Sequence, residues 1–100
     1  MNYENIYFIG IGGIGMSNLA RYFLSKGKRV GGYDRTETPL TRKLAEEGAF
    51  VHYEDNLQKI PSSFIDKEKT LVVYTPAVPA SHGELVFFSE QRFTIMKRAQ

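Results

Sequence analysis

Apolar and polar positions fall in blocks whose period changes along the chain. Asn5–Ile9 is a short, mostly apolar run closed by a glycine, the pattern of a buried strand. From Met16 the period lengthens. Met16, Leu19, Ala20, Phe23 and Leu24 share one helical face, which ends near Lys26 with Gly27 as a left-handed stop. Arg29–Tyr33 predicts a second strand. Thr38 before Pro39 reads as an N-cap followed by proline at the first helical position. Leu40 and Leu44 then turn inward, and Gly48 ends that helix. Residues 50–52 predict a brief third strand, and the polar stretch 55–69, holding Pro61, a short helix and loops. Residues 71–74, LVVY, are the clearest strand, stopped by Pro76 and Pro79. Ser81 and Glu84 have the spacing of a capping box opening a helix over Leu85, Val86 and Phe88. A last short strand is expected at 93–96, after which 97–100 trail off.

Strands alternating with helices imply an α/β fold: a Rossmann-like parallel sheet of about five strands with helices on both faces. A chain of 100 residues with 42% hydrophobic content supports one core. The net charge of +2 is spread among interleaved acidic and basic residues, leaving no basic stripe for a nucleic-acid partner. Cysteine is absent, which excludes disulfides and thiolate metal sites and fits a reducing compartment. The start, MNYENIYF, has neither a basic n-region nor a long apolar run, and no stretch is long enough to span a membrane. A cytoplasmic location with no membrane partner is the expectation.

The candidate chemistry lies between the first strand and the first helix. Gly10, Gly12 and Gly15 fit G-x-G-x-x-G, with Gly13 in addition. On this reading Gly10 permits a sharp turn, Gly12 lets backbone approach an anion, and Gly15 lets the helix lie close on the sheet. Unpaired N–H groups at the helix start suit a pyrophosphate, and Ser17 adds a hydroxyl donor. Asp34 ends the second strand about 20 residues beyond Gly15, where dinucleotide-binding folds place a ribose-binding carboxylate. Loop and carboxylate together indicate a nucleoside diphosphate without saying which. An NAD(P) site of an oxidoreductase or redox-sensing regulator satisfies them equally, and a module binding nothing tightly is the bland alternative.

The remaining polar and aromatic residues read as structural. His52 is expected at a surface or strand edge and His82 in solvent; two separated histidines without cysteine do not make a zinc site. Tyr7, Phe8, Tyr22 and Phe23 read as core and helix-packing residues. Glu46, Glu47 and the charged stretch 66–69 read as solvated faces. No paired carboxylates suited to acid–base chemistry are evident, so no catalytic residue and no metal ligand is assigned.

GIGGIGMS (10–17), GYD (32–34), T-x-x-L-x-x-x-GA (41–49) and YTPAVP (74–79) together closely resemble the N-terminal domain of the Mur ligases of peptidoglycan synthesis. The final KRAQ (97–100) resembles the stretch that leads from that domain into the next. The resemblance implies a fragment: a UDP-N-acetylmuramate-binding domain over 1–96 and the start of a linker over 97–100. The enzyme's own central and C-terminal domains would follow. The complete ligase would use ATP and magnesium to join L-alanine to the substrate; this part would hold no cofactor and be inactive alone. In keeping with that, G-x-x-G-K-[ST] does not occur here. Carried onto matching positions, the resemblance assigns Gly10, Gly12, Gly13, Ile14, Gly15, Met16 and Ser17 to the diphosphate loop. It assigns Asp34, Arg35 and Thr36 to uracil and ribose, and Thr75, Pro76 and Ala77 to the loop closing over the uracil. One departure stands out: where the family often carries a histidine after GA, this chain has Asp55, and His52 lies three positions early.

Overall fold

The structure, a computed structural model, describes residues 3–98. Its elements in chain order are β1 (Asn5–Ile9), α1 (Ile14–Ser25), β2 (Arg29–Tyr33), α2 (Pro39–Glu46), β3 (Phe50–His52), β4 (Thr70–Tyr74), α3 (Gly83–Glu90) and β5 (Thr94–Lys97). Two single 3-10 turns, Leu57–Lys59 and Ser62–Ile65, stand in place of the expected helix in the crossover to β4. Pro61 separates them, and so short a polar stretch cannot sustain a longer helix. β5 runs one residue past the expected 93–96 stretch and starts one residue later. Of the trailing 97–100 stretch, Ala99 and Gln100 lie outside the described residues.

The strands form one parallel sheet in the order β3-β2-β1-β4-β5. β1 is therefore central and buried along its whole length. Its even- and odd-numbered side chains build two cores, as the two-residue period of a strand requires. Ile6 and Phe8 pack with Met16 and Ala20 of α1 and Leu44 of α2. Tyr7 and Ile9 pack with Phe64 of the crossover and Leu85 and Phe88 of α3. Two glycines in β2 admit these layers. A Cβ at Gly31 would lie 2.8 Å from the Phe64 ring, and one at Gly32 would lie 2.5 Å from the Phe8 carbonyl oxygen.

Several local expectations meet a different arrangement. Thr38 caps α2 as expected, but Thr41 rather than Leu40 is the fully buried residue of its first turn. Tyr22 is exposed on α1, with Lys26 over its ring. Glu46 and Glu47 are exposed, as expected, and Arg21 pairs with Glu47 at 2.8 Å on that surface. Ser81 does not cap α3. His82 occupies the N-cap, and Glu84 turns into the core, where it is completely buried. The helix is capped from a distance: the Asp55 carboxylate accepts the Gly83 N–H at 2.8 Å and the Glu84 N–H at 3.0 Å. Asp55, the position of the family departure, thus has a structural use.

Candidate functional site

The sheet fixes where a ligand can reach the backbone. From β1 the chain crosses to β2 on one side, while β4 enters on the other, so the carboxyl ends of β1 and β4 diverge at a switch point. A crevice of about 350 Å³ opens there, lined by the loops after β1, β2 and β4. Gly10 forms its floor. Its φ of +95° lies in the region that favours glycine, and its N–H donates to the Tyr33 carbonyl at 2.8 Å. A Cβ there would clash with Cγ2 of Thr75, so glycine is required where the two loops touch.

Of the residues singled out in the sequence, Gly10, Gly13, Asp34, Arg35, Thr36, Thr75 and Ala77 line this one crevice. Pro76 is exposed beside it and is not part of the lining. Gly12 stands behind the loop. Its N–H donates to Asp34 Oδ1 at 2.9 Å, and a Cβ would lie 2.8 Å from Thr41 Cγ2 and 3.0 Å from that carboxylate oxygen. The glycine is needed first for contact with the protein's own Asp34 and Thr41. Asp34 in turn accepts the Thr36 N–H at 3.2 Å through Oδ2, so it ties the β2 loop to the glycine loop.

The start of α1 is open. Gly13 is its N-cap, without a side-chain hydrogen bond, and the first intrahelical bond runs from the Ser17 N–H to the Gly13 carbonyl at 2.8 Å. Among the described residues, the N–H groups of Ile14, Gly15 and Met16 have no partner. Of two predicted positions, Met16 offers only its backbone N–H, and Ser17, whose N–H is already bonded, offers no free donor. Met16 sends its side chain into the core, and Ser17 Oγ donates back to the Ile14 carbonyl at 2.9 Å instead of pointing outward. Ile14 is exposed at the helix start. Gly15 does not serve close packing on the sheet, because a Cβ there would meet only the Arg98 guanidinium, at 3.7 Å.

The wall opposite contains residues that the sequence reading did not assign to the site: Tyr33, Val78, Pro79 and His82, the last expected in solvent. His82 is 8% exposed, and its ring lies 4.6 Å from that of Tyr33. Its Nδ1 is 3.5 Å from Asp55 Oδ1, and neither ring nitrogen makes a hydrogen bond among the described residues. Burial, followed by the carboxylates of Asp55, Glu84 and Asp34, raises the Tyr33 hydroxyl pKa above its ordinary value. Behind this wall lies a polar cluster. The Tyr7 hydroxyl donates to Glu84 Oε1 at 2.7 Å and sits 2.7 Å from His52 Nε2, which is 3.0 Å from Glu84 Oε2. His52 ends the edge strand β3, as expected, but is buried rather than on the surface, because β3 turns it toward Tyr7 and α3. Strand position was the one available signal for Tyr33; nothing local announced His52 or His82.

A larger hollow of about 580 Å³ lies between α3 and β5, lined by Tyr74, Leu85, Val86, Ile95 and Lys97 among others. It contains neither the glycine loop nor an open helix start. Among the described residues no group of three or more His, Cys, Asp or Glu is placed to hold a metal ion, and no helix is long and apolar enough to cross a membrane.

A parallel sheet with its glycine loop and acidic strand end at the switch point defines a Rossmann-like α/β domain. Residues 5–100 match the family described as Mur ligase family, catalytic domain, and the chain belongs to that family. It is 61% identical over 97% of its length to a UDP-N-acetylmuramate–L-alanine ligase of Phocaeicola vulgatus. A ligase of the same name from Flavobacterium johnsoniae is 58% identical over 97% of the chain. In both cases the chain spans 21% of the relative's length. The crystal structure of UDP-N-acetylmuramate–alanine ligase from Thermotoga maritima superposes with a TM-score of 0.81 at 34% identity, over 94% of this chain and 20% of that one. The nicotinamide-binding alternative is not favoured by these likenesses.

Proposed function

We propose that this chain is the UDP-N-acetylmuramate-binding domain of a ligase that adds L-alanine to that nucleotide sugar in peptidoglycan synthesis. The observation that carries the reading is the set of unpaired N–H groups at the start of α1, whose N-cap Gly13 lines a switch-point crevice. The names of the relatives supply the identity of the nucleotide sugar. In this reading the diphosphate lies along Gly13, Ile14, Gly15 and Met16, and binds through backbone. Uridine occupies the crevice between Asp34–Thr36 and Thr75–Ala77, against Tyr33 and His82.

The passage to a further, ATP-binding domain begins within residues 97–100, and the complete enzyme would work in the cytoplasm. There the lactyl carboxylate is phosphorylated by ATP, and the amine of L-alanine attacks the acyl phosphate, releasing phosphate. Magnesium held by that other domain would offset charge developing in transfer. This chain contributes position: gripping the uridine diphosphate end fixes where the carboxylate lies, and such anchoring accounts for several orders of magnitude in rate. No residue of the chain is assigned to ATP or to bond making. Titration with UDP, UDP-N-acetylmuramate, NADH and NADPH by calorimetry tests the reading. UDP-N-acetylmuramate should bind more tightly than either reduced nicotinamide; the opposite order rejects the proposal.

A further inference from the structure

Glu84, in the first turn of α3, is the only buried carboxylate among the described residues. Burying such a group is unfavourable unless donors surround it. The Tyr7 hydroxyl donates to Oε1 at 2.7 Å from β1, and the Asn56 N–H donates to Oε2 at 3.4 Å. Nε2 of His52, at the end of β3, stands 3.0 Å from Oε2 and 2.7 Å from the Tyr7 oxygen. These contacts close a triangle. The Tyr7 proton goes to Glu84, so the hydrogen serving the other two sides is carried by Nε2 of His52. One carboxylate thereby joins α3 to β1 and β3, strands that β2 keeps apart in the sheet.

The same residue takes part in a reciprocal clasp. Its side chain accepts the Asn56 N–H, while its own N–H donates to Asp55, the residue before Asn56. A Cβ at Gly83 would crowd the Asp55 carboxylate at 3.0 Å, so the start of α3 is shaped to admit it. Both ends of the clasp lead to the crevice, although Tyr7, His52 and Glu84 do not line it. His82, two residues before Glu84, rests against Tyr33 in the wall. On the opposite side the His52 carbonyl accepts the Asp34 N–H at 3.1 Å, and Asp34 in turn holds Gly12.

We infer that Glu84 is a positioning residue for the nucleoside end of the site: its buried carboxylate locks the start of α3 to the end of β3, and so fixes the crevice between His82 and Asp34 at the width that receives uridine. The inference rests on the function proposed above and concerns how the crevice keeps its shape, with no contact between Glu84 and the ligand. A leucine of similar size would fill the same space and leave the loop after β3 unattached. Directional bonds fix an orientation that apolar packing lets slide.

The test is an NMR titration of the chain, of Glu84→Gln and of Tyr7→Phe with uridine, UDP and inorganic pyrophosphate, at a temperature where urea unfolding shows each protein fully folded. Pyrophosphate reports on the start of α1 without the crevice. Glu84→Gln should weaken uridine and UDP by one common factor of about tenfold and leave pyrophosphate within about twofold. Tyr7→Phe keeps the ring, removes one donor and should weaken uridine about threefold. The double variant should bind no more weakly than Glu84→Gln, because both substitutions act through one network. Uridine affinity unchanged in both single variants, with stability alone reduced, overturns the positioning role and leaves the proposed function standing. An equal loss for pyrophosphate and uridine also overturns it, as a sign of general damage. Should Glu84→Gln fail to fold, Tyr7→Phe decides by the same criteria. If the unaltered chain binds no UDP, both proposals fall.

Discussion

The helices α1 and α3 start at the same edge of the sheet, a few ångströms from one crevice, yet their first turns are treated in opposite ways. At α3 the Asp55 carboxylate, reaching from the loop after β3, accepts the N–H groups of Gly83 and Glu84. At α1 the N-cap is Gly13, and among the described residues no side chain accepts from the first turn and three amides stay open. α2 resembles α3 in this respect, with Thr38 and Thr41 capping each other. Two helix starts are supplied with oxygen by the protein and the third is not, and the proposed function gives that third start an oxygen from the nucleotide sugar. A capping residue usually stabilises a helix by about 1 kcal/mol, so leaving one out has a cost that a ligand bound there would offset.

The comparison can be broken most severely at Gly12. A valine there would meet Thr41 Cγ2 and push Asp34 off the Gly12 N–H. Gly12→Val should lose detectable UDP-N-acetylmuramate binding, and urea unfolding should show a loss of about 1–3 kcal/mol through overpacking. The more pointed substitution is Gly13→Asp, which would make α1 like α3. Gly13 has extended backbone open to any residue, and a Cβ would make only ordinary contacts. Its carboxylate would cap the free amides, so the chain should gain about 0.5–1 kcal/mol in stability while UDP-sugar affinity collapses. If Gly13→Asp leaves affinity intact, the amides do not hold the phosphates.

Removing the cap from the other helix should act on stability. Asp55→Ala leaves the Gly83 and Glu84 N–H groups without their acceptor and should lower unfolding free energy by about 0.5–2 kcal/mol. Differential scanning calorimetry would register it, and an unchanged melting temperature would show that water replaces the carboxylate at no cost. The smallest effect concerns the cluster behind α3. Burial first, then the Glu84 carboxylate, raise the Tyr7 hydroxyl pKa far above its ordinary 10.0. The folded chain therefore keeps a proton that the unfolded chain gives up as the pH passes 10.0. That contribution is complete below pH 10 and declines above it. Between pH 10 and 11 the unaltered chain should lose about 1 kcal/mol more than Tyr7→Phe, read from urea unfolding at each pH. Parallel losses in the two proteins would deny Tyr7 a distinct part in alkaline unfolding.

What could be read in the sequence was what the chain encodes locally. The face formed by Met16, Leu19, Ala20, Phe23 and Leu24, the stop at Gly27 and the Thr38–Pro39 start all depend on neighbours within a turn or two, and the structure has them. So does the joining of Gly10, Gly13, Asp34 and Thr75 in one crevice, because strand ends in a parallel sheet share an edge. The misreadings needed contacts across the chain. Ser81 and Glu84 have the spacing of a capping box, yet Asp55 takes that place, and Glu84 goes instead to Tyr7 and His52. His52 and His82 looked exposed because no nearby residue reveals which face of the sheet they meet. The reason read for Gly12, room for an anion, is incomplete: its missing side chain makes room for Asp34 and Thr41 of the protein itself.

The central claim is that the open amides of α1 receive the phosphates, and amide chemical-shift mapping with UDP-N-acetylmuramate addresses it most directly. The largest changes should fall on Gly13, Ile14, Gly15 and Met16, with smaller ones at Asp34–Thr36 and Thr75–Ala77. Changes centred instead on Leu85, Val86 and Ile95, in the larger hollow beside β5, would contradict the account.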